Sequence, residues 1–231
     1  NDLAELDGAA RGLSCVLAVL EDERREEVLD ELLGTETGAV QQRLAARAGV
    51  LEYLPQAVGA SIFCKLMPRI LPVLQSGLGD ADASVHDACE RALSAVCEAV
   101  GKVDPQPLTI VCEQSAFTLN PQSRVVGITL AGKLLKKLGI SSTSECRERL
   151  LVLVVVAQSD ESRDVRTAAD RWWRQSVEGP PGKTLRNFLP ALIRQLKEDF
   201  LVDDDRLAGR AGRCGIDIHK RLPSDNVLQD L

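Results

Sequence analysis

The chain has 231 residues, of which 45% are hydrophobic and only 3% are aromatic, and its formal net charge is −6. This composition supports a folded core and excludes a disordered chain, and the excess of Leu, Ala and Val favours closely packed helices. No apolar run reaches the roughly 18 residues of a membrane-spanning helix, so the sequence predicts no membrane contact. The first seven residues contain neither Met nor a signal region, and we expect a fragment of a longer chain.

A polar or acidic turn, followed by an aliphatic residue and an Ala-rich amphipathic segment, recurs along the chain. The aliphatic residues that anchor these segments are Val40, Val85, Val125, Val165 and Leu207. Their successive separations are 45, 40, 40 and 42 residues, and helical-hairpin repeats recur every 40 to 47 residues or so. The sequence therefore predicts stacked helical hairpins, each with its second helix starting after one of these turns.

A more strongly apolar first helix is predicted before each turn. These helices should cover roughly residues 13–33, 61–77, 107–119, 144–158 and 183–202. Pro68, Pro72 and Pro190 are expected near helix starts, where a missing amide costs least, with a kink or late start if both Pro68 and Pro72 are helical. Asp and Asn in the turns are expected to cap the second helices.

In the run at 150–156, LLVLVVV, the intrinsic secondary-structure preference of the residues disagrees with their position in the repeat. Its β-branched residues favour a strand. Its place in the repeat instead predicts a helix that is buried on several sides.

Two segments resemble a known repeat family. DADASVHDACERAL at 80–93 and SRDVRTAAD at 162–170 resemble the HEAT repeat, in which an Asp-rich turn precedes Val-Arg and an Ala-rich second helix. The resemblance extends over residues 13–222 and implies an all-α fold, a right-handed α-α superhelix (solenoid) of about five HEAT-type hairpins. The arginine of the family is replaced by Gln41, His86 and Val126 in the first three repeats and by Ala208 in the fifth.

We predict one HEAT-repeat domain over residues 1–231. Its repeats are expected at approximately 10–57, 60–101, 105–139, 144–178 and 183–222, and residues 223–231 should form a C-terminal cap or tail.

The sequence lacks the motifs of common enzymes. It has two histidines, His86 and His219, and no phosphate loop, nucleotide fingerprint, serine elbow or HExxH motif. GPPGKT at 179–184 has only the end of a phosphate loop and is predicted to join two repeats. The seven cysteines lack metal-ligand spacing and are predicted to be reduced and mostly buried, as in a cytosolic or nuclear protein. We therefore predict no catalytic, cofactor-binding or metal-binding residue and no enzyme.

Two adjacent tryptophans, Trp172 and Trp173, stand out in this aromatic-poor chain. Neighbouring helical residues point about 100° apart, so one can enter the core while the other stays partly exposed. Tryptophan beside arginine is typical of binding hot spots, and we predict Trp173 as a partner contact. HEAT-like DNA glycosylases also place Trp and Asp in a basic groove, with Asp170 close by here, but the net negative charge does not favour nucleic acid.

Five arginines fall at the turns or in the first turns of the last three second helices: Arg124, Arg163, Arg166, Arg206 and Arg210. Because stacked repeats superimpose equivalent positions, these side chains are expected to line one ridge that binds an acidic protein surface. The alternative is that each arginine pairs with an Asp of the neighbouring repeat, in the ladder typical of HEAT arrays.

The resemblance thus implies a non-enzymatic scaffold or adaptor segment of a larger HEAT-repeat protein, in the cytoplasm, at the cytoskeleton or in the nucleus. The alternative is a tubulin-binding array of the TOG type, which also uses its intra-repeat loops. The first TOG loop usually carries Trp, which GTETGA at 34–39 lacks, whereas Arg124, Arg163 and Arg166 favour this alternative. The expected partner is a protein, tubulin in the alternative, with no small-molecule substrate.

Overall fold

The computed structural model describes residues 2–34, 40–139, 144–177 and 181–222, and of 2–6, 40–43 and 181–183 it describes the backbone only. Within these ranges the chain forms eleven α-helices and no β-strand, which confirms the all-α prediction. None of these helices is both long and apolar enough to cross a bilayer. In chain order they are α1 (Asp2–Val19), α2 (Asp22–Leu33), α3 (Val40–Val58), α4 (Ala60–Gly77), α5 (Ala83–Val100), α6 (Gln106–Ala116), α7 (Pro121–Leu138), α8 (Glu145–Ala157), α9 (Arg163–Ser176), α10 (Pro181–Leu201) and α11 (Asp205–Arg221).

The helices belong to two compact units, residues 1–111 and 112–231, with the boundary inside α6. In unit 1, α3 packs between α1 and α5, and α4 covers α3 and α5. In unit 2, α7 and α9 lie side by side with α8 on both, whereas α11 packs on α10 and α8. The even-numbered helices from α2 to α10 correspond to the predicted first helices, and the odd-numbered helices from α3 to α11 to the second ones.

The single helix predicted at 13–33 is wrong, because residues 20–21 separate α1 from α2. The buried side chain of Arg25 explains the break. Its Nε donates a hydrogen bond to the carbonyl oxygen of Leu17 (2.9 Å), and its Nη2 donates to that of Leu20. Leu17 lies in the last turn of α1 and Leu20 directly follows the helix, so neither carbonyl has a partner within it.

Pro68 and Pro72 lie well inside a helix and not near its start, whereas Pro190 follows a kink and lies near the start of a helical segment, as predicted. α4 begins at Ala60, well before Pro68 and Pro72, because its buried stripe already includes Phe63. Pro190 lies in α10, which is kinked at Phe188 (φ −123°, ψ 15°). The proline ring cannot fit a regular preceding turn, which accounts for the kink.

The apolar run at 150–156 is helical and buried, as its place in the repeat predicts. Every residue from Leu150 to Ala157 is buried, and these residues belong to α8. α8 contacts α7, α9, α10 and α11. It is therefore the central helix of unit 2, and burial on all sides overrides the strand preference of its valines.

Three of the turns before second helices are capped by their polar residues, as predicted. The side chains of Asp82, Asn120 and Asp204 each accept a hydrogen bond from a backbone N–H in the first turn of α5, α7 and α11. Ser162 stands at the same position before α9, and its own N–H is bound by the Asp160 carboxylate (2.8 Å). These four residues define a common register.

In this register the predicted anchor Val125 lies two residues after the position that is equivalent to the anchors of the other helices. The third residue after the N-cap is Val85 in α5, Val165 in α9 and Leu207 in α11, but Ser123 in α7. Ser123 is buried and Val125 is only half-buried. Pro121 starts the helix earlier than the polar turn suggests. The fourth residue after the N-cap is therefore His86 in α5, Arg124 in α7, Arg166 in α9 and Ala208 in α11. The arginine of the HEAT pattern is thus present in α7 as Arg124, and Val126 is not the equivalent position.

Candidate protein-binding site

Arg124 is fully buried, which removes it from the predicted surface ridge. Its Nη1 donates hydrogen bonds to the carbonyl oxygens of Thr118 (3.1 Å) and Leu119 (2.9 Å). Its Nη2 donates to the carboxylates of Asp160 (2.9 Å) and Glu161 (3.3 Å). Arg124 thereby joins the turn before α7 to the turn before α9, and at this pair the predicted arginine–aspartate ladder is confirmed.

Arg166 repeats the first half of this arrangement only. Its Nη1 donates to the carbonyl oxygens of Asp160 and Glu161, both at 2.7 Å, which are six and five residues earlier, as in Arg124. In the register set by the N-caps, Val202 takes the place that Asp160 has before α9, and it carries no carboxylate. Arg166 is half-buried, and no described carboxylate pairs with it.

The exposed side of Arg166 faces a cleft of about 590 Å³ between the turn before α9 and α11. α11 contributes Arg213 and Lys220, which are exposed and have no described carboxylate partner. Arg213 Nε donates to the carbonyl oxygen of Ser159 (3.0 Å). The cleft is thus lined by three cations that form no ion pair with a carboxylate of the described residues.

The carboxylates of this cleft are already engaged by other arginines. Asp160 and Glu161 pair with Arg124, and Asp217 pairs with Arg221. Counted together with Arg124 and Arg221, the residues at this cleft carry five positive and three negative charges, although the whole chain is acidic.

The prediction for Arg206 and Arg210 is corrected as well, because both hold α11 in place. Arg210 is buried and donates to the carboxylate of buried Asp199 (2.8 Å), with its guanidinium 4.9 Å from the ring centre of Phe117. Arg206 donates to the carbonyl oxygen of Phe117 (3.0 Å) and contacts Asp204 (3.4 Å). Arg163, in contrast, is exposed at the first residue of α9.

The two tryptophans have opposite surroundings, but the prediction chose the wrong one as the surface residue. Trp173 is 6% exposed and meets Phe188 edge-on, with ring centroids 6.2 Å apart. Val165, Ala169 and Trp173 follow each other at four-residue spacing on the buried face of α9. Trp172 is half-exposed and lies directly over Gly132 of α7, where an added Cβ would come within 2.0 Å of its ring.

Five of the seven cysteines are buried, which confirms the prediction for most of them. Burial, with a smaller contribution from Asp80, raises the pKa of the Cys89 thiol to about 12, and burial likewise raises the pKa of Cys214 to about 12. These thiols stay protonated at neutral pH and serve as small apolar core residues.

One group in the described part of the chain has the spacing of metal ligands. Ligand atoms of His86, Asp87 and Glu90 lie within 4.8 Å of one another on one face of α5. The His86 ring is buried at the position that Arg124 and Arg166 occupy, and Asp87 is exposed. We interpret the group as a core histidine beside solvated carboxylates.

Sequence comparisons find the chain similar to short parts of two much longer proteins. No protein-family model matches the chain. Over 98% of its length it is 26% identical to the eIF-2-alpha kinase activator GCN1 of Dictyostelium discoideum, and over 93% it is 28% identical to the protein ILITYHIA of Arabidopsis thaliana. The chain spans only 10% and 9% of these relatives. Both are HEAT-repeat proteins, and this similarity, with the all-helical fold, agrees with the predicted HEAT-type architecture and a protein-interaction scaffold.

Proposed function

We propose that this chain is a protein-binding segment of a regulatory HEAT-repeat scaffold. The observation that carries the proposal is the similarity to the Dictyostelium kinase activator over 98% of the chain. Such arrays bind partners through surfaces that successive hairpins present together. The exposed cations of the cleft between α9 and α11 offer such a surface on unit 2.

We infer further that the protein containing this chain promotes phosphorylation of eIF-2-alpha by binding the kinase or a protein associated with it. The relative is named as an activator of that kinase, and a binding surface that favours the active state of a kinase is sufficient to activate it.

A phosphorylation assay with purified eIF-2-alpha kinase and eIF-2-alpha tests this role. We expect the intact parent protein to raise the rate of phosphorylation, and a version lacking these 231 residues to raise it less. In parallel, the 231-residue chain should bind the kinase, or the complex that contains it, in sedimentation. An unchanged rate with the intact parent protein would refute the kinase-related function.

Tubulin binding of the TOG type receives less support from the structure than from the sequence. Of the three arginines that favoured it, Arg124 is buried and Arg166 is held by two backbone carbonyls. Arg163 is the exposed one. Sedimentation with microtubules remains the direct test of this alternative.

A further inference from the structure

We propose that the cleft between α9 and α11 binds an acidic peptide segment of a protein partner, with Arg166 receiving a carboxylate. The proposal rests on the protein-binding role proposed above and names the chemistry of the partner. It does not depend on whether that partner belongs to a kinase complex.

The pair formed by Arg124 and Asp160 shows how this repeat holds a carboxylate. Nη1 of Arg124 is fixed by two backbone carbonyls, which leaves Nη2 directed at the carboxylate of Asp160 at 2.9 Å. Nη1 of Arg166 is fixed by the equivalent two carbonyls. Arg166 also lines the cleft, and its other donors have no hydrogen-bond partner among the described residues, so we expect the fixed guanidinium to bind a carboxylate that these residues do not supply.

Two cations of α11 extend the positively charged surface that begins at Arg166. Arg213 and Lys220 are seven residues apart, about two helical turns, and thus lie on one face of the helix. Both are exposed, and the Arg213 side chain is anchored by its bond to the carbonyl of Ser159. A peptide that follows α11 from Arg166 can therefore place several carboxylates opposite positive charges.

The surroundings favour a peptide over a nucleic acid. Asp160, Glu161 and Asp217 line the same cleft, so it contains negative groups as well as cations. A peptide can place its carboxylates away from these three residues, whereas a phosphodiester backbone carries closely and regularly spaced charges. Ile216 lies between the two cations of α11 and is 51% exposed. A segment in which acidic residues alternate with aliphatic ones matches both the cations and this apolar contact.

Fluorescence anisotropy with a defined probe tests the proposal. The probe is a fluorescein-labelled peptide of four Glu-Glu-Leu repeats, and its control replaces every Glu by Gln. We expect saturable binding of the Glu peptide to the wild-type chain at low salt, weakening as salt is added, and much weaker binding of the Gln peptide. Arg213→Glu combined with Lys220→Glu should weaken binding about tenfold, because two surface ion pairs become repulsive.

Two variants separate this site from general electrostatic attraction. Arg163→Glu changes the same charge on exposed α9 surface that does not line the cleft, and it should alter affinity less than about twofold. Arg166→Lys keeps the charge but loses the planar, oriented donors, and it should weaken binding by severalfold. Thermal unfolding of each variant controls for misfolding, and the exposed positions 213 and 220 should leave it almost unchanged.

Three results would overturn the proposal: no saturable binding of the Glu peptide, an equal loss with Arg163→Glu, or tighter binding of a 12-nucleotide oligo(dT) at the same residues. The last result would assign the cleft to single-stranded nucleic acid. Failure of peptide binding in a chain that still binds the kinase complex would remove the cleft alone. A chain that binds the peptide but has no effect on phosphorylation would instead refute the kinase-related function.

Discussion

The turns before α7 and before α9 have the same architecture but different neighbours. Arg124 and Arg166 each hold the carbonyl oxygens five and six residues earlier. Arg124 is covered completely and is bound by Asp160, whereas Arg166 is half-buried beside an open cleft. α11 packs on α8 and α10, and it leaves this cleft between itself and the turn before α9. The guanidinium is thus covered and paired in one repeat and half-buried in the next, according to what the following hairpin provides.

The largest expected effect comes from removing the buried arginine. Arg124→Ala should lower the free energy of unfolding by about 3–5 kcal/mol, because it leaves the carboxylate of Asp160 buried without its partner. Arg166→Ala should cost only about 1 kcal/mol, since water can reach the carbonyls that it releases. Both tryptophans lie in unit 2, so urea unfolding followed by tryptophan fluorescence measures this unit.

A second substitution isolates the buried charge. Asp160→Asn keeps an acceptor for the N–H of Ser162 but removes the charge, so Arg124→Ala with Asp160→Asn should recover part of the lost stability. If Arg124→Ala and Arg166→Ala lower the free energy of unfolding equally, the two arginines have the same structural role, and the difference described between the two turns is wrong.

The next largest effect tests how closely the helices pack around these turns. Gly127 of α7 is buried, and an added Cβ would lie 2.9 Å from Cβ of Ser115 and 3.0 Å from backbone atoms of Cys112 and Ala116. Gly127→Ala should therefore destabilise unit 2 by about 1–3 kcal/mol, although alanine is the better helix former.

Gly212 on α11 is the matched control, because the nearest atom to its added Cβ is Cζ of Phe200 at 3.8 Å. Gly212→Ala should raise the free energy of unfolding by about 0.5–1 kcal/mol. The same urea experiment measures both variants. A gain in stability for Gly127→Ala would mean that α6 and α7 are not in tight contact.

The sequence predicts the helices better than it predicts the site. Polar turns before Ala-rich segments located all five second helices, because capping and 3.6-residue periodicity are local properties. Burial of Arg124 depends on Asp160, 36 residues later, and no local pattern reports such a partner. The break at 20–21 is not predicted either. Arg25 stabilises it by binding backbone carbonyls, and because every residue has such a carbonyl, no sequence pattern marks these two.

Two features of the site could have been found by counting along the helices. The spacing of Val165, Ala169 and Trp173 already assigns Trp173 to the buried face of α9. Arg213 and Lys220 share one face of α11, but they lie in the body and the last turn of that helix, away from the turns whose arginines stand out in the sequence. Their relation to Arg166 depends on how α11 packs, which the sequence alone does not give.

A smaller effect should appear in the pH dependence of stability. Burial alone would raise the pKa of Asp204, but hydrogen bonds from the N–H groups of Leu207 and Arg206, together with the charge of Arg206, lower it below the usual value. A carboxyl group with a lowered pKa in the folded state stabilises the protein above its unfolded pKa of about 4, and this contribution is lost as the pH falls further.

Asp204→Asn keeps an N-cap acceptor that does not titrate, like Asn120 before α7. The variant should therefore lose less stability than the wild type between about pH 5 and about pH 3, which lie one unit above and one unit below the unfolded pKa. Thermal midpoints at these two pH values measure the difference. Parallel curves for variant and wild type would show that the carboxylate of Asp204 is not stabilised by the start of α11.

The smallest effect is expected at Arg163, which lies close to Arg166 in sequence but is exposed at the first residue of α9. A positive charge at a helix N-terminus opposes the helix dipole, so Arg163→Glu should raise the free energy of unfolding by about 0.3 kcal/mol. The neighbouring carboxylate of Glu161 is already engaged by Arg124, which limits its repulsion of the new charge. Urea unfolding at low and high salt measures the change, which salt should abolish. A loss of 1 kcal/mol or so would mean that Arg163 makes a contact of its own, and it would then no longer serve as the inert reference for Arg166.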